Sequence, residues 1–121
     1  MALTRVYGEG PVNLSNAQTG NGDSTNTAER GNRERGGALV VTSAIGATPT
    51  VTVNIQGSMD GTQFYNIPYA LVATPETLSI AAITITTAVT TTYLLRPSPW
   101  RYLKLVYSAN TNVTLTVDAY L

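Results

Sequence analysis

The sequence contains no cysteine and no histidine. Disulfides, thiol nucleophiles and the usual zinc ligands are thereby excluded, along with the side chain that titrates near neutral pH. Charge is scarce too: seven basic and seven acidic residues in 121, with a formal net charge of zero. A chain so balanced generates no broad field to draw in nucleic acid or an anionic membrane. No apolar run approaches the roughly 20 residues of a membrane helix. Met1-Ala-Leu-Thr-Arg5 has no apolar stretch behind it, so no secretory leader is expected. The missing cysteines lean toward folding in the cytoplasm, because many secreted all-β domains of this size use disulfides. No cofactor, no metal, no nucleic-acid partner and no membrane partner is expected.

What is present favours strands. There are 20 threonines, with many valines and isoleucines and seven tyrosines, the types that suit a pleated, half-buried surface. Thr50–Gln56 alternates strictly: Val51, Val53 and Ile55 face one way, Thr52, Asn54 and Gln56 the other. Trp100–Tyr107 and Val113–Leu121 alternate likewise. Ala38–Ile45 is a further run, closed by Gly46; Gln63–Tyr69, Leu78–Thr86 and Thr90–Leu95 complete the set. Turn signals fall every ~8–12 residues, the spacing of a sandwich. The expected fold is all-β: one sandwich of about eight antiparallel strands, with Val53, Ile55, Leu103, Leu105, Leu115 and Val117 in its core.

The first 37 residues read differently. Ser15–Gly37 is filled with Asn, Gly, Ser, Thr and charge, and Ala17 and Ala28 are its only apolar members. Such a stretch buries too little apolar surface to offset its ordering entropy. Residues 1–37 are therefore expected to be an extended segment and polar arm, and 38–121 the sandwich body, within one domain overall. The arm is expected to order against a partner, with Arg30, Arg33 and Arg35 forming forked bonds to a neighbour's carboxylates. The interleaved Glu29 and Glu34, with no aromatic nearby, weigh against nucleic acid.

Gln56–Ile67 carries Ser58-Met-Asp60-Gly61, a tight reversal that reads as a hairpin, since Asp and Gly tolerate positive φ. One carboxylate builds no calcium site, which needs six to eight oxygens. Asp60, Glu76 and Asp118 are dispersed; no catalytic residue is assigned, and the chain is not expected to be an enzyme. Trp100, Tyr102 and Tyr120 share an outward phase and form a candidate contact face. They are equally the candidate stacking platform for a glycan.

Two segments carry a resemblance. Val53-Asn-Ile-Gln-Gly-Ser-Met-Asp-Gly-Thr-Gln-Phe-Tyr65 is similar to a strand, Ser-x-Asp-Gly and aromatic hairpin of small phage virion proteins. Trp100-Arg-Tyr-Leu-Lys-Leu-Val-Tyr-Ser108, with the last strand to Leu121, looks like the ending of the same proteins. From Ala38 to Leu121 the chain resembles the capsid cement, or decoration, proteins of tailed bacteriophages. The resemblance implies a jelly-roll-like sandwich on the outer surface of a shell of major capsid protein, made in the host cytoplasm and carried on the virion. It implies a homo-oligomer, dimer or trimer, and no catalytic residues. The alternative is a carbohydrate-binding or host-attachment module of a tail or head fibre.

Overall fold

The computed structural model describes residues 2–5, 11–30 and 36–121, the first group as backbone only. It is an all-β sandwich, with ten strands among the described residues. In chain order they are β1 (Ala2–Arg5), β2 (Val12–Gln18), β3 (Gly22–Asp23), β4 (Asn26–Glu29), β5 (Gly37–Ser58), β6 (Tyr65–Asn66), β7 (Tyr69–Leu71), β8 (Ile83–Ile85), β9 (Thr90–Leu95) and β10 (Tyr102–Tyr120).

Two of these strands are several times longer than the rest, and the architecture follows from them. β5 and β10 pair antiparallel from Tyr102↔Ser58 to Tyr120↔Ala38. The register shifts only between Ser108 and Val113. There both strands bend, and the hydrogen-bonded sheet folds over on itself. One layer contains β2, the second half of β10, the first half of β5, β9 and β7. The other contains β1, β3 and β4, the first half of β10, the second half of β5, β6 and β8. All described strand pairings are antiparallel except β1 with β4.

The bends were expected to be strand ends. Gly46 closes the expected strand Ala38–Ile45, and Ser108–Asn112 falls between the expected strands Trp100–Tyr107 and Val113–Leu121. The structure corrects both: each pair of expected strands is a single strand. The same alternate phase is buried on both sides of the bend, while the bend itself is exposed. Leu39 and Val41, then Val51, Val53 and Ile55, are buried along β5. Leu103, Leu105 and Tyr107, then Val113, Leu115, Val117 and Ala119, are buried along β10. Each strand therefore closes over its own apolar side. The corners use left-handed backbone at Thr48, Ala109 and Asn112, a conformation that costs an L-residue roughly 1–2 kcal/mol and is easiest for Asn. The Asn112 amide secures its corner by donating to Ala47 O at 2.7 Å.

All six residues expected in the core are buried, in one cluster fed by both layers. The Asp60-Gly61 hairpin also forms, with Gly57↔Tyr65 and Gln56↔Asn66 as its ladder. The expected arm does not stand apart. Of its described part, Ser15–Gln18 completes β2, and β3 and β4 lie along β10. Residue 37 already belongs to β5, so no boundary between arm and body falls there. The reason is hydrogen bonding rather than apolar burial. Ser24 is buried and binds β10 in both directions: its N–H donates to Leu105 O at 2.7 Å, and its hydroxyl accepts from Leu105 N at 3.1 Å. The Asn26 amide donates to Asn13 O at 2.8 Å. Polar residues enter the fold here because each finds a partner.

Candidate functional site

The six expected contact residues do not form one surface. Arg30 is 1% exposed and Trp100 fully buried. Both belong to the interior of one end of the sandwich. Trp100 follows Pro97-Ser98-Pro99, a segment that enters β10 without a ladder partner for its carbonyls, and Arg30 supplies donors there. Its Nε donates to Trp100 O at 2.8 Å and its Nη2 to Ser98 O. The guanidinium carbon sits 3.4 Å from the centroid of the Trp100 ring. A planar, weakly hydrated cation can lie flat on a ring and donate from its edge at once. Arg30 N–H also donates to Arg101 O at 2.8 Å, and Arg101 N–H to Ser58 O at 2.8 Å. Arg30 therefore secures this corner; it is not a hand extended to a neighbour. Arg33 and Arg35 lie outside the described residues.

Room for the indole comes from Gly57 on β5. A Cβ at Gly57 would stand 3.0 Å from Trp100 Cβ and 3.1 Å from Ile67 Cγ2. Tyr102 and Tyr120 share a phase along β10 but lie on either side of its bend, in different layers. Their outward faces point away from each other, so they make no common stacking platform. Tyr120 is exposed, and the Tyr102 ring lies under the turn at Gly61.

That turn is rigid. Asp60 Oδ1 accepts from Thr62 N at 2.8 Å, Gln63 N at 2.9 Å and the Ser58 hydroxyl at 3.0 Å. Those bonds, led by the one from Gln63, hold the Asp60 carboxyl below its ordinary pKa. Lys104 is the chain's one lysine. It spans two strands, 3.1 Å from Asp23 Oδ2 with its ammonium 4.1 Å from the Phe64 ring centroid. Asp118 Oδ1 accepts from the Asn13 amide at 3.0 Å. Among the described residues, no three acidic, histidine or cysteine side chains converge on one point.

The surface that sequence reasoning missed lies where the edges of the two layers meet. β7 closes one layer and β8 closes the facing edge of the other. Between them opens a cleft of about 300 Å³ lined by Tyr69, Leu71, Thr74, Thr77, Ile83 and Tyr93, with Ala70 and Ser79. Its floor is an edge-to-face pair, Tyr69 and Tyr93, with centroids 5.5 Å apart and planes at 87°. Burial, and then Tyr69 beside it, raise the Tyr93 phenol above its ordinary pKa. The segment after β7 forms a narrow ribbon. Tyr69 and Ser79 exchange backbone hydrogen bonds at 2.9 and 2.8 Å, Thr74 N donates to Leu71 O at 3.0 Å, and the Tyr69 hydroxyl donates to Ala81 O at 2.8 Å. On that ribbon Leu71, Val72, Leu78 and Ile80 stand 43–57% exposed. From Gly61 to Leu95 the only charged residue is Glu76, a depletion that could have marked this region from sequence.

A second concavity of about 380 Å³ lies at the bends, with Thr19, Ile45, Asn110, Asn112 and Thr114 on its wall. The Asn110 amide is committed to Val113 N and O, at 3.1 and 2.9 Å.

No family model matches the chain, and no curated protein matches it. Among solved structures it is similar to the crystal structure of the SPBc2 prophage-derived protein YomS. The likeness covers 90% of this chain and 88% of that one, with a TM-score of 0.63 at 9% identity. The Yersinia pseudotuberculosis-derived mitogen aligns over 92% of this chain and 81% of its own, with a TM-score of 0.38 at 9% identity. At these identities the first likeness establishes a shared sandwich fold.

Proposed function

We propose that this chain is a structural protein of a bacteriophage particle. More specifically, it is a capsid decoration or cement protein that binds the outer surface of the major capsid protein shell and stabilises it. The observation that carries the reading is the fold it shares, over nearly the whole of both chains, with a prophage-derived protein. The Val53–Tyr65 hairpin and the Trp100–Leu121 ending, which resemble segments of small virion proteins, point the same way.

The geometry suits such a role. Two strands run through both layers and tie them into one body. The hairpin at Asp60 and the corner at Arg30 are held by hydrogen bonds, so a surface built on them would lose little entropy on docking. Modest contacts repeated over a shell would give firm retention by multivalency. The chain acts as a scaffold of contacts on the virion and catalyses no reaction.

The test is co-sedimentation of the purified chain with assembled, undecorated capsids of a phage that encodes it. The expected result is saturable binding at a fixed ratio to capsid subunits, with a higher temperature of capsid disruption. Absence from the capsid pellet at saturating protein overturns the decoration role. Retention on glycan-coated beads with no capsid binding would favour the attachment-module alternative.

A further inference from the structure

We propose that the cleft between β7 and β8 is a binding site for a small uncharged molecule built on a single aromatic ring with a hydroxyl group, a phenol in the simplest case. The cleft holds about 300 Å³, the lower end of the ~300–1,000 Å³ range of ligand pockets, which sets the size near one ring. Its floor is the edge-to-face pair of Tyr69 and Tyr93. A third ring set against these two can make further offset or edge-to-face contacts. Leu71 and Ile83 add aliphatic lining, and the ribbon contributes the hydroxyl-bearing residues Thr74, Thr77 and Ser79.

The lining selects the ligand's charge and polarity. No lining residue is charged near neutral pH, and burial raises the Tyr93 phenol further above its ordinary value. Glu76, on the same ribbon, is exposed and is not part of the lining. An ammonium or a carboxylate in the cleft would therefore lose water without gaining a counter-charge. A sugar is disfavoured for a related reason. It carries hydroxyls on every side, and the lining has no carboxylate, amide or guanidinium side chain to bind them in pairs. A phenol needs one polar partner, and the ribbon offers three hydroxyl side chains.

The site is formed before a ligand arrives. Tyr69 exchanges backbone hydrogen bonds with Ser79, and its hydroxyl donates to Ala81 O at 2.8 Å. Thr74 N donates to Leu71 O and Thr77 N to Thr74 O, both at 3.0 Å. One ring of the floor and the ribbon beside it are thus held in place, so little ordering entropy opposes binding. The concavity at the bends offers no comparable site. It has no aromatic ring in its lining, and its Asn110 and Asn112 amides are already bonded to backbone.

The proposal stands apart from the capsid reading, because its test contains no capsid. The isotope-labelled full chain is titrated with p-cresol up to about 10 mM and followed by amide chemical shifts, a range that detects weak binding. The expected result is a saturable set of shifts centred on Tyr69–Ile83 and Tyr93, with a Kd of about 1 mM. Benzoate, benzylamine and methyl glucoside supply an anionic ring, a cationic ring and a neutral sugar. Each is expected to bind at least about tenfold more weakly. Thr74 and Thr77 are exposed, so the double variant Thr74→Glu, Thr77→Glu should keep the circular dichroism of the wild type while weakening p-cresol by more than about tenfold. Thr114→Glu, at the bend concavity, is expected to leave p-cresol binding intact. Absence of saturable shifts overturns the proposal, as do shifts centred elsewhere. So does equal binding of any of the three other probes, or a double variant that binds p-cresol as the wild type does.

Discussion

Residues 12–30 and residues 69–83 reverse the usual relation between polarity and burial. The first stretch holds most of its length in Asn, Ser, Thr and charged residues, yet Ser15, Ser24, Thr27, Glu29 and Arg30 are buried. The second is apolar and almost without charge, yet much of it faces outward. The difference lies in partners. Every strand in the first stretch lies beside β10 or β2, where backbone and side-chain groups bond across the sheet. Ser15 Oγ donates to Gln18 Oε1 at 2.7 Å and lies 2.8 Å from the Tyr107 hydroxyl, which reaches it from the opposite layer. Gln18 in turn binds Thr25 and Asp23 O. The second stretch bonds to β9 along one side, to β5 at Ile83 and otherwise to itself, and among the described residues no further layer covers its apolar side chains. Composition indicates what a segment would bury if it could; topology decides what it does bury.

The strongest test of that contrast is Arg30→Ala. Losing the stack on Trp100 and the donors to Ser98 O and Trp100 O should cost about 3–5 kcal/mol in urea unfolding. A loss near zero would mean that the polar stretch is not part of the core. Leu105→Ala sets the scale for an apolar core residue, with an expected loss of about 2–5 kcal/mol. Comparable losses would place a buried arginine and a buried leucine on equal footing in this fold.

A smaller effect concerns pH. Burial pushes the Tyr107 phenol up to about 12, a rise only partly offset by its hydrogen bond to Ser15. The unfolded phenol ionises near 10, while the folded one keeps its proton. Between those values the unfolded state binds fewer protons, so stability falls as pH rises. It is fully present below about pH 10 and is lost through about pH 12, by about 2–3 kcal/mol. Urea titrations across that window should show the decline, and Tyr107→Phe should flatten it. An unchanged slope in the variant would assign the alkaline loss to another group.

The smallest effect lies in the apolar region. Ile80→Ser removes a large hydrophobic side chain, yet Ile80 is 57% exposed, so stability at dilute concentration should change by less than about 0.5 kcal/mol. A larger loss in the monomer would show that the ribbon packs on the body and would erase the contrast.

Much of the fold was legible because period-2 alternation survives in the chain. Val53, Ile55, Leu103, Leu105, Leu115 and Val117 were placed inward by phase alone. The continuity of β5 and β10 was not legible. Gly46 and Asn112 look like punctuation, and a bent strand exposes the same small and polar residues at its corner as a turn does. Arg30 was misassigned because a charge among charges reads as solvated. The counter-signal was present in Pro97-Ser-Pro-Trp100, whose carbonyls need donors, and in Gly57, a glycine on the inward phase of a strand. Together they describe a space for an indole and a need for a fork of N–H groups. Neither could be joined to Arg30 without the pairing of β4 with β10.

The shared strands have a further consequence, for the way the molecule opens. In a sandwich whose layers are joined only by loops, one sheet can fray while the other holds. Here Thr50–Ser58 and Gly37–Ile45 are parts of one strand, and each half is hydrogen-bonded to the matching half of β10. A one-residue slip in either layer would turn every side chain of that half outward and would be passed around the corner to the other. The amides of β5 and β10 should therefore exchange with solvent only through global unfolding, at one common rate in both layers. The short edge strands should exchange first and independently. Mechanically the protein is a single folded ribbon with attachments, and a force applied at either layer is borne by both.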